Sequence, residues 1–471
     1  FSRRIAWLLL VALALQQFSF SAPVVKAAPL YTPGGVSDGL QLWFKANEGV
    51  TGTTNVSNWA DFSDNNYDCT RSSPGSNGPE LMIDEINFNP ALTFNGSNEY
   101  CAIKDLNYQG INAIDNLAAY VVFKTDFSGN SYNRNWAFLD FDRSDYFDFY
   151  LRGDNGRLGA SYRGAATRDN SGATPNLNND RPQLGVFIYD GALTNDTILR
   201  INGAQDLASN RESNGSALGT NTKRYGFIGD GSEANAFDAG RNNIYYDGEI
   251  AEVIYYANDT QTQNEVDRIE SYLALKYGIH KVGDYLDSGS LTIWNSSTMA
   301  GYLNDVAGIG RDDVSALNQL ISKSQSGDGL ITVSNASSQD DGDFLLWGND
   351  DGAITQSTAA MPAALASRTT RVWRIQKTND IGTVDVMFDV AALGLTGGVP
   401  GGYVLLKDTD TDFSDAPIIS GDTLNSGKVT FQNVSFNDGD YFTLGVLPVT
   451  IGDKIWSDVN GNGVDDGGAE I

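Results

Sequence analysis

Histidine is nearly missing from this sequence, which contains His280 and no other histidine among 471 residues. A Ser-His-Asp triad, a Cys-His pair or a His-rich zinc or iron site would have to use this one residue. His280 follows a predicted helix end, where a histidine without a catalytic role is the commoner finding. Catalysis would therefore depend on carboxylates, and we expect that the chain is not an enzyme and has no catalytic residues.

Basic residues are also few. The chain has 31 Lys and Arg against 59 Asp and Glu, and its formal net charge is −28. A nucleic acid backbone is recognised through a footprint of Lys and Arg, so this composition predicts no nucleic acid partner. It also argues against binding to anionic lipid. An excess of carboxylate is typical of cation binding and of an acidic, solvated surface.

Apolar runs long enough to span a bilayer are missing as well. Near the start, two arginines precede the shorter run Ile5 to Leu15, and small residues follow up to Ala27. This pattern predicts a secretory signal peptide over residues 1–27. We therefore expect an extracellular or cell-surface protein with no transmembrane segment in this sequence, whose anchor would lie beyond Ile471.

Cysteine is limited to Cys69 and Cys101. Because an exported protein reaches an oxidising compartment, one disulfide between them is the simple interpretation. It would close a loop of about thirty residues and stabilise the fold by roughly 3 kcal/mol if loop entropy dominates. The alternative is two buried free thiols.

Short strands separated by Gly, Asn, Asp and Ser make up most of the remaining chain, as at 119–124, 184–189 and 250–256. This spacing is typical of β-sandwiches. Neighbouring side chains on a strand alternate between two faces, so we expect one of Tyr255 and Tyr256 to be buried and the other exposed. We expect the tryptophans to fill sandwich cores more often than to stack on sugar. The tryptophans that follow the predicted signal peptide are Trp43, Trp59, Trp136, Trp294, Trp347, Trp373 and Trp456.

One helix is predicted before residue 280. Its apolar residues share one helical face and are Val266, Ile269, Leu273 and Tyr277. Thr262 and Glu265 have the spacing of a capping box, and Gly278 is suited to end the helix. A single helix after a long run of strands indicates a domain boundary near residue 280.

Three segments of the first half carry a resemblance to a known superfamily. Residues 40–46 read Leu-Gln-Leu-Trp-Phe-Lys-Ala, residues 90–100 combine a strand, a glycine turn and an aromatic strand, and residues 248–279 combine a strand with the helix. Residues 38–280 thereby resemble the concanavalin A-like, laminin G-like superfamily of bacterial surface proteins. The resemblance implies a two-sheet jelly-roll sandwich whose concave face binds glycans, proteins or other surface ligands. Some related sandwiches hydrolyse polysaccharides.

The hydrolase branch of that superfamily needs a pair of carboxylates. A retaining glycosidase places them about 5 to 5.5 Å apart. The nearest match is Glu249-Ile250-Ala251-Glu252, and the period of a strand predicts that its two glutamates point to opposite faces. A second acidic group has no spacing typical of acid/base catalysis; it consists of Asp140, Asp142, Asp145 and Asp148.

Two further resemblances cover the second half. Residues 307–313, 344–350 and 371–375 resemble parts of an uncharacterised β-sandwich that often follows laminin G-like domains, which implies a second sandwich over 285–447. Residues 449–471 resemble the truncated start of a serine-aspartate-repeat B-type domain. Such Ig-like modules are calcium-binding spacers.

A calcium loop is predicted within the last segment. Asp458, Asn460 and Asn462 alternate along the chain, Gly463 allows a sharp turn, and Asp466 falls at the ninth position of the loop. Calcium prefers six to eight oxygen ligands, which such an alternation supplies. The alternative is a plain Asn-Gly turn.

A weaker second calcium loop contains Asp408, Asp410 and Asp412. Its sixth position is Phe413, which does not turn as readily as glycine, so an acidic solvated turn is an equal alternative.

The sequence thus predicts an all-β protein with a laminin G-like jelly-roll sandwich, a second β-sandwich and the start of an Ig-like repeat. The predicted function is binding or adhesion to an extracellular glycan or matrix protein, with structural calcium as the cofactor. The residues that bind this ligand are not predicted. The alternatives are an accessory or degenerate polysaccharide hydrolase and a purely structural stalk or surface-layer component.

Overall fold

The computed structural model describes residues 31–71, 77–109, 114–126, 135–162, 169–209, 217–219, 222–231, 233–240, 243–395, 401–421 and 423–448. All of them belong to one compact unit, Tyr31–Ile471. The predicted signal peptide over 1–27 and the predicted repeat start over 449–471 lie outside the described residues. The described residues are mostly antiparallel β-strands with a single α-helix, which confirms the predicted all-β sandwich class.

The first block of strands precedes the helix α1, which spans Gln263–Tyr277. The strands of this block are β1 (Leu40–Lys45), β2 (Val50–Thr51), β3 (Asn58–Trp59), β4 (Cys69–Thr70), β5 (Glu80–Ile86), β6 (Asn89–Asn95), β7 (Cys101–Gln109), β8 (Asn116–Lys124), β9 (Asn135–Asp140), β10 (Phe147–Arg152), β11 (Leu158–Tyr162), β12 (Asp169–Ser171), β13 (Gln183–Asp190), β14 (Thr197–Ile201), β15 (Ala204–Ser209), β16 (Lys223–Ile228) and β17 (Asp247–Ala257).

The second block follows α1. Its strands are β18 (Tyr285–Leu286), β19 (Thr292–Trp294), β20 (Asn304–Asp312), β21 (Leu317–Gln319), β22 (Ile321–Lys323), β23 (Ile331–Ser334), β24 (Phe344–Asn349), β25 (Gln356–Ser357), β26 (Ser367–Thr369), β27 (Trp373–Thr378), β28 (Thr383–Asp389), β29 (Tyr403–Asp408), β30 (Ile418–Ser420), β31 (Thr423–Asn425), β32 (Lys428–Ser435) and β33 (Tyr441–Val446). Short 3-10 turns lie at Pro33–Gly35, Asp313–Ser315 and Phe413–Asp415.

The first block forms two antiparallel sheets packed face to face. Sheet A has the order β15-β14-β13-β8-β17-β6-β5, with β1 also paired to β17, and sheet B has the order β12-β11-β10-β9-β16-β7-β4-β3-β2. Along β8, Val121 and Phe123 point into the core between the sheets, while Tyr120 and Val122 point the other way. This alternation gives sheet A two apolar faces, so a second layer must cover the face that lies outside the sandwich.

The helix begins and ends where the sequence predicts. The Thr262 hydroxyl accepts a hydrogen bond from the Glu265 amide at 3.3 Å, and the Glu265 carboxylate accepts one from the Thr262 amide at 2.7 Å. Gly278 ends the helix in the left-handed region, with φ of 63°. Glycine is required there because a Cβ atom would lie 2.4 Å from the Lys323 carbonyl oxygen. The predicted apolar face of the helix is buried; it consists of Val266, Ile269, Leu273 and Tyr277.

The helix and the second block together cover the outer face of sheet A. We call the shared apolar core at this place the junction cluster, and its members include Trp43, Ile254, Tyr256, Ile269, Tyr272, Leu273, Trp294, Val306, Phe344 and Leu346. The prediction for Tyr255 and Tyr256 is therefore wrong, since both are 0% exposed. Tyr255 lies in the core between sheets A and B, and Tyr256 lies under the helix.

The second block is a sandwich of two further sheets. Sheet C has the order β21-β20-β24-β27-β33-β26-β25, with β29 paired to β33 and β30 paired to β29, and sheet D has the order β22-β23-β28-β32-β31. Their core contains Trp347 and Trp373 from sheet C and Phe388 and Phe431 from sheet D. The predicted domain limits of 38–280 and 285–447 stay predictions, because α1 packs against both sandwiches.

The tryptophans have the buried positions that were predicted for them. Those in the described residues are Trp43, Trp59, Trp136, Trp294, Trp347 and Trp373, and none is more than 3% exposed. Trp456 lies outside the described residues. Tryptophan therefore fills cores in this part of the chain, and any aromatic ligand platform there must use other residues.

The predicted disulfide is present. Cys69 on β4 is bonded to Cys101 on β7, with their Cα atoms 5.4 Å apart. Both cysteines belong to the core between sheets A and B. The bond therefore joins two strands of sheet B from the inner side.

Candidate functional site

A cluster of aromatic side chains lies on the outer face of sheet B, opposite the core. Cys101 and Ile103 on β7 point into the core, so Ala102 between them faces outward. The side chains that gather around it form the aromatic cluster, defined here as Tyr100, Tyr225, Phe227, Phe237 and Tyr245. It combines Tyr100, which directly precedes β7, with residues on β16 and residues in the segment between β16 and β17.

The cluster has a buried base and a more accessible upper layer. Tyr100 and Phe227 are buried, with ring centroids 5.9 Å apart. Tyr225, Phe237 and Tyr245 are only half-buried. Tyr245 packs on Tyr100 at 6.2 Å, and Phe237 packs edge-on against Tyr225 at 6.4 Å. Aromatic faces thus remain partly open to solvent on a rigid base.

Backbone hydrogen bonds hold the upper layer in position. The Tyr225 amide donates to the Ala234 carbonyl at 3.0 Å, and the Glu233 amide donates to the Gly240 carbonyl at 2.8 Å. These bonds fold the segment 233–240 back onto β16 and bring Phe237 beside Tyr225. The rings are therefore fixed by backbone pairing as well as by side-chain packing.

Polar groups surround the cluster. The Arg71 guanidinium lies 4.1 Å from the centre of the Tyr100 ring and donates to its hydroxyl at 3.0 Å. That hydroxyl donates to Asp238 at 2.8 Å, and the Lys223 ammonium lies 5.0 Å from the Tyr225 ring centre. Apolar ring faces beside hydrogen-bonding groups are typical of sites that bind amphipathic small molecules.

The predicted acidic group is brought together on the same face of sheet B. Asp140 at the end of β9 lies directly across from Asp148 on β10, and both belong to the outer face because Phe147 and Phe149 point into the core. Asp140 is 3% exposed and Asp148 is 6% exposed. Two nearly buried carboxylates in register are unfavourable neighbours unless other groups bind them.

Arg224 on β16 binds the other two members of the acidic group. Its Nε lies 2.5 Å from Asp142, and its Nη2 lies 2.6 Å from Asp145. Burial raises the pKa of Asp142, although the Arg224 ion pair opposes that shift. The sequence predicted the acidic group but not its arginine partner, which lies 82 residues after Asp142 in the chain.

The predicted opposition of Glu249 and Glu252 is wrong. Glu249 pairs with Lys124 and Glu252 pairs with Val122, and these partners lie two residues apart on β8. Residues two apart on a strand share a face, so both glutamates lie on the outer face of sheet A. A β-bulge between Ile250 and Glu252 inserts one extra residue and reverses the expected alternation.

Glu252 is nevertheless enclosed. It is 1% exposed. Its carboxylate accepts hydrogen bonds from Trp43 Nε1 at 2.6 Å, from the hydroxyls of Tyr272 and Tyr277 at 2.8 Å each, and from Lys276 Nζ at 2.7 Å. These donors use its lone pairs and leave no room for a substrate beside it.

Glu249 is titratable in the neutral range. Partial burial raises its pKa to about 7, with Lys124 opposing the shift and Glu85 adding to it. Lys124 lies 2.8 Å from Glu85 and 3.4 Å from Asp180, so its charge is shared among three carboxylates. The folded protein therefore binds a proton at Glu249 more tightly than the unfolded chain does.

We expect this proton to make the stability depend on pH. Between the ordinary pKa of 4.5 and the folded value of about 7 the folded state carries the extra proton. The stabilisation is full below the lower value and is lost as the pH rises through the higher one. As the pH rises, the free energy of unfolding of the Glu249→Gln variant should therefore decrease by about 1–2 kcal/mol less than that of the unchanged chain. This figure allows for the partial exposure of Glu249.

Urea unfolding at several pH values between the two pKa values and above them would measure this slope. Glu80→Gln is the matched control, because Glu80 is an exposed carboxylate on the strand that carries Glu85. Equal slopes for the two variants would show that Glu249 does not carry the pH dependence.

The weaker predicted calcium loop is visible in its full length. Asp408 accepts from the Thr409 amide at 2.6 Å, Asp410 from the Asp412 amide at 2.7 Å, and Asp412 from the Ser414 amide at 3.2 Å. Phe413 is 0% exposed and anchors the loop. Each carboxylate thus stabilises a turn of its own loop, and the calcium site stays a prediction.

The main predicted calcium loop, with Asp458, Asn460, Asn462 and Asp466, lies outside the described residues. Across the described ranges, no group of three or more His, Cys, Asp or Glu side chains is arranged to hold a metal ion. In the same ranges, no helix has the length and apolar character needed to cross a membrane.

Sequence reasoning did not predict the aromatic cluster. Its members lie at positions 100, 225–227, 237 and 245, and no local pattern relates positions so far apart. The one local signal is Gly226 between Tyr225 and Phe227. A Cβ atom there would lie 2.4 Å from Phe141, and β16 has a register shift at this place.

The second half of the chain matches a known family of unknown function. Residues 265–440 match the family described as "Domain of unknown function (DUF8202)". The match starts within α1 and covers most of the second sandwich. Among curated proteins, none matches this chain.

The solved structures that match this chain have low sequence identity and low TM-scores. Domain 4 of AbnA, a GH43 extracellular arabinanase from Geobacillus stearothermophilus in complex with arabinotriose, is 12% identical at a TM-score of 0.31, covering 50% of this chain and 97% of its own. The Botulinum neurotoxin serotype D binding domain is 11% identical at 0.39, covering 88% and 93%. The Ruminococcus gnavus IT-sialidase CBM40 bound to alpha2,6 sialyllactose is 16% identical at 0.25, covering 35% and 98%. Because their sequence identities and TM-scores are this low, these structures indicate nothing about the ligand of this chain.

Proposed function

We propose that this chain is a non-catalytic, extracellular glycan-binding protein and that the aromatic cluster on sheet B is its ligand site. The observation that carries the proposal is the half-buried layer of Tyr225, Phe237 and Tyr245 on a buried aromatic base. Partly open aromatic rings beside a few polar groups have the composition of many small-molecule binding sites.

The chemistry of the cluster suits a sugar. One face of a pyranose ring is made of C–H groups, which pack on aromatic rings, while its hydroxyls need donors and acceptors. Arg71 and Lys223 supply donors, and Asp238 supplies acceptors at the edge of the same rings. A purely apolar protein partner would gain little from these charged neighbours.

A binding role is favoured over hydrolysis by the burial of the carboxylates. Glu252, Asp140 and Asp148 are each under a tenth exposed, and Asp142 and Asp145 are both held by ion pairs to Arg224. A glycosidase needs both of its carboxylates within reach of the sugar. We therefore keep the accessory or degenerate hydrolase as a rival and not as the proposal.

The proposal also covers the rest of the chain. It includes a laminin G-like identity for residues 38–280, export through the signal peptide at 1–27, and a calcium-binding spacer from residue 449. The Cys69–Cys101 disulfide supports an oxidising compartment. A matrix protein as ligand, and a stalk without any small ligand, are the remaining alternatives.

A glycan array probed with the full chain tests the proposal. We expect binding to a defined set of glycans, and Tyr225→Ala or Tyr245→Ala should weaken it about tenfold or more, equal to about 1.4 kcal/mol or more. Tyr302→Ala is the matched control, because Tyr302 is a half-buried tyrosine outside the cluster, in the second sandwich. It should bind as the unchanged chain does.

The opposite results separate the rivals. Absence of binding to any glycan would overturn the proposal in favour of a stalk or a protein ligand. Release of shorter sugars from a bound polysaccharide would favour the hydrolase. Repeating the array with a chelator tests calcium, since loss of binding would indicate a metal that orders the ligand site.

A further inference from the structure

An amine and an amide meet at the edge of the buried space between α1 and sheet A. The Lys276 ammonium on α1 donates to the Asn47 side-chain oxygen at 2.9 Å. Adding the C=O length of about 1.2 Å puts the Asn47 amide carbon within about 4.1 Å of Lys276 Nζ. Asn47 lies just after β1 and Lys276 lies near the end of α1, so the contact joins distant parts of the chain.

A carboxylate lies against the same amine. Glu252 Oε2 on β17 is 2.7 Å from Lys276 Nζ, and Lys276 is 3% exposed. Trp43 and Tyr277 donate to this carboxylate and form the walls around it. The amine and the proton acceptor are thus held together in a place that excludes most water, and the exposed Asn47 amide contacts the amine from its rim.

We propose that Lys276 and Asn47 form an intramolecular amide cross-link, with Glu252 as the proton carrier. This inference is independent of the proposed glycan binding. It assigns a covalent modification to a group of residues that would otherwise be a buried ion pair with an extra hydrogen bond.

The reaction needs no oxidant or cofactor. Glu252 takes a proton from the Lys276 ammonium and frees the Nζ lone pair. Nζ attacks Cγ of Asn47, and a C–N bond forms. Protonated Glu252 passes its proton to Nδ2 and takes one from Nζ, and the tetrahedral carbon expels Nδ2 as ammonia. The ammonia then takes the remaining proton from Glu252 and leaves as ammonium. The net products are one secondary amide and one ammonium ion, and Glu252 returns to its carboxylate form.

The environment favours each step. Burial lowers the pKa of Lys276, which makes the neutral, nucleophilic amine easier to reach. The fixed positions of the three groups remove most of the entropy loss of bringing reactants together. Asn47 is exposed at the rim of this space, so the ammonia has a route to solvent.

Mass spectrometry of the full chain under denaturing conditions tests the proposal. After reduction of the Cys69–Cys101 disulfide, we expect an intact mass lower by one ammonia than the mass of the same polypeptide calculated from its sequence, and a branched peptide that joins Asn47 to Lys276 after proteolysis. Lys124 is an internal control, because it also lies against a carboxylate, Glu85, at 2.8 Å, and its peptide should stay unlinked.

Variants separate the cross-link from other mass changes. Asn47→Ala removes the amide carbon, and Glu252→Gln removes the proton acceptor at nearly the same shape. Both should have their full sequence masses and yield separate peptides. If the folded, unsubstituted chain has its full mass and yields unlinked peptides for Asn47 and Lys276, the proposal is overturned, whether or not the variants fold.

Discussion

Replacing Glu270 with alanine is expected to lower the free energy of unfolding by about 3–5 kcal/mol, the loss typical of breaking a buried ion pair from one side. Glu270 on α1 is 0% exposed and binds Arg200 on β14 through two hydrogen bonds of 2.8 Å each. Its removal leaves a guanidinium in the covered space under the helix. Asp267, 3.9 Å from Arg200, is too far away to form the same paired contact.

Urea denaturation followed by tryptophan fluorescence would measure this loss. Asp313→Asn is a suitable control, because Asp313 pairs with Arg311 at 2.7 Å on an exposed part of the second sandwich. Exposed pairs contribute little, so this change should leave the free energy of unfolding nearly unchanged. A loss of similar size in both variants would mean that burial does not set the strength of the Arg200–Glu270 contact.

Removal of the disulfide is expected to have the second largest effect. The Cys69–Cys101 bond closes a loop of sequence separation 32, and its loss should lower the free energy of unfolding by about 3–4 kcal/mol. The physical reason is that an open chain has more unfolded conformations than a closed one. The double variant Cys69→Ala, Cys101→Ala should therefore unfold at lower urea concentration.

Reducing agent provides the control for that experiment. It should destabilise the unchanged chain by a similar amount and leave the double variant unaffected. Equal stability of the two chains in oxidising buffer would contradict the prediction and would show that packing around β4 and β7 suffices without the bond.

Features that are encoded locally could be predicted from the sequence. The helix is one of them, since Thr262, Glu265 and Gly278 specify its ends through contacts within a few residues. The burial of the tryptophans is another, because leaving so large an apolar side chain exposed to water is unfavourable in free energy. The pairing of two cysteines needed only the inference of an oxidising compartment.

Features that depend on a second layer or on register could not be predicted. Tyr256 is buried because α1 and the second sandwich lie on it, and no pattern within β17 reveals that cover. The bulge between Ile250 and Glu252 moves two glutamates to one face, although the residue types still suggest alternation. Strand period alone fails wherever a bulge or a covering helix intervenes.

The candidate site was partly predictable. The acidic group from Asp140 to Asp148 was recognised because its members are close in sequence, while Arg224 was missed because it is not. The aromatic cluster was missed for the same reason, since Tyr100 and Tyr245 come from opposite ends of the first sandwich sequence. Sites assembled by β-sheet pairing need the register, which the sequence alone does not supply.

The junction cluster has a mechanical consequence. Trp43 of the first sandwich, Tyr272 of α1 and Phe344 of the second sandwich belong to one continuous apolar core. A force applied at sheet B would thus be passed on to the second sandwich through packed side chains and not through a flexible hinge. The two sandwiches should therefore turn together as one stiff unit when the protein is pulled.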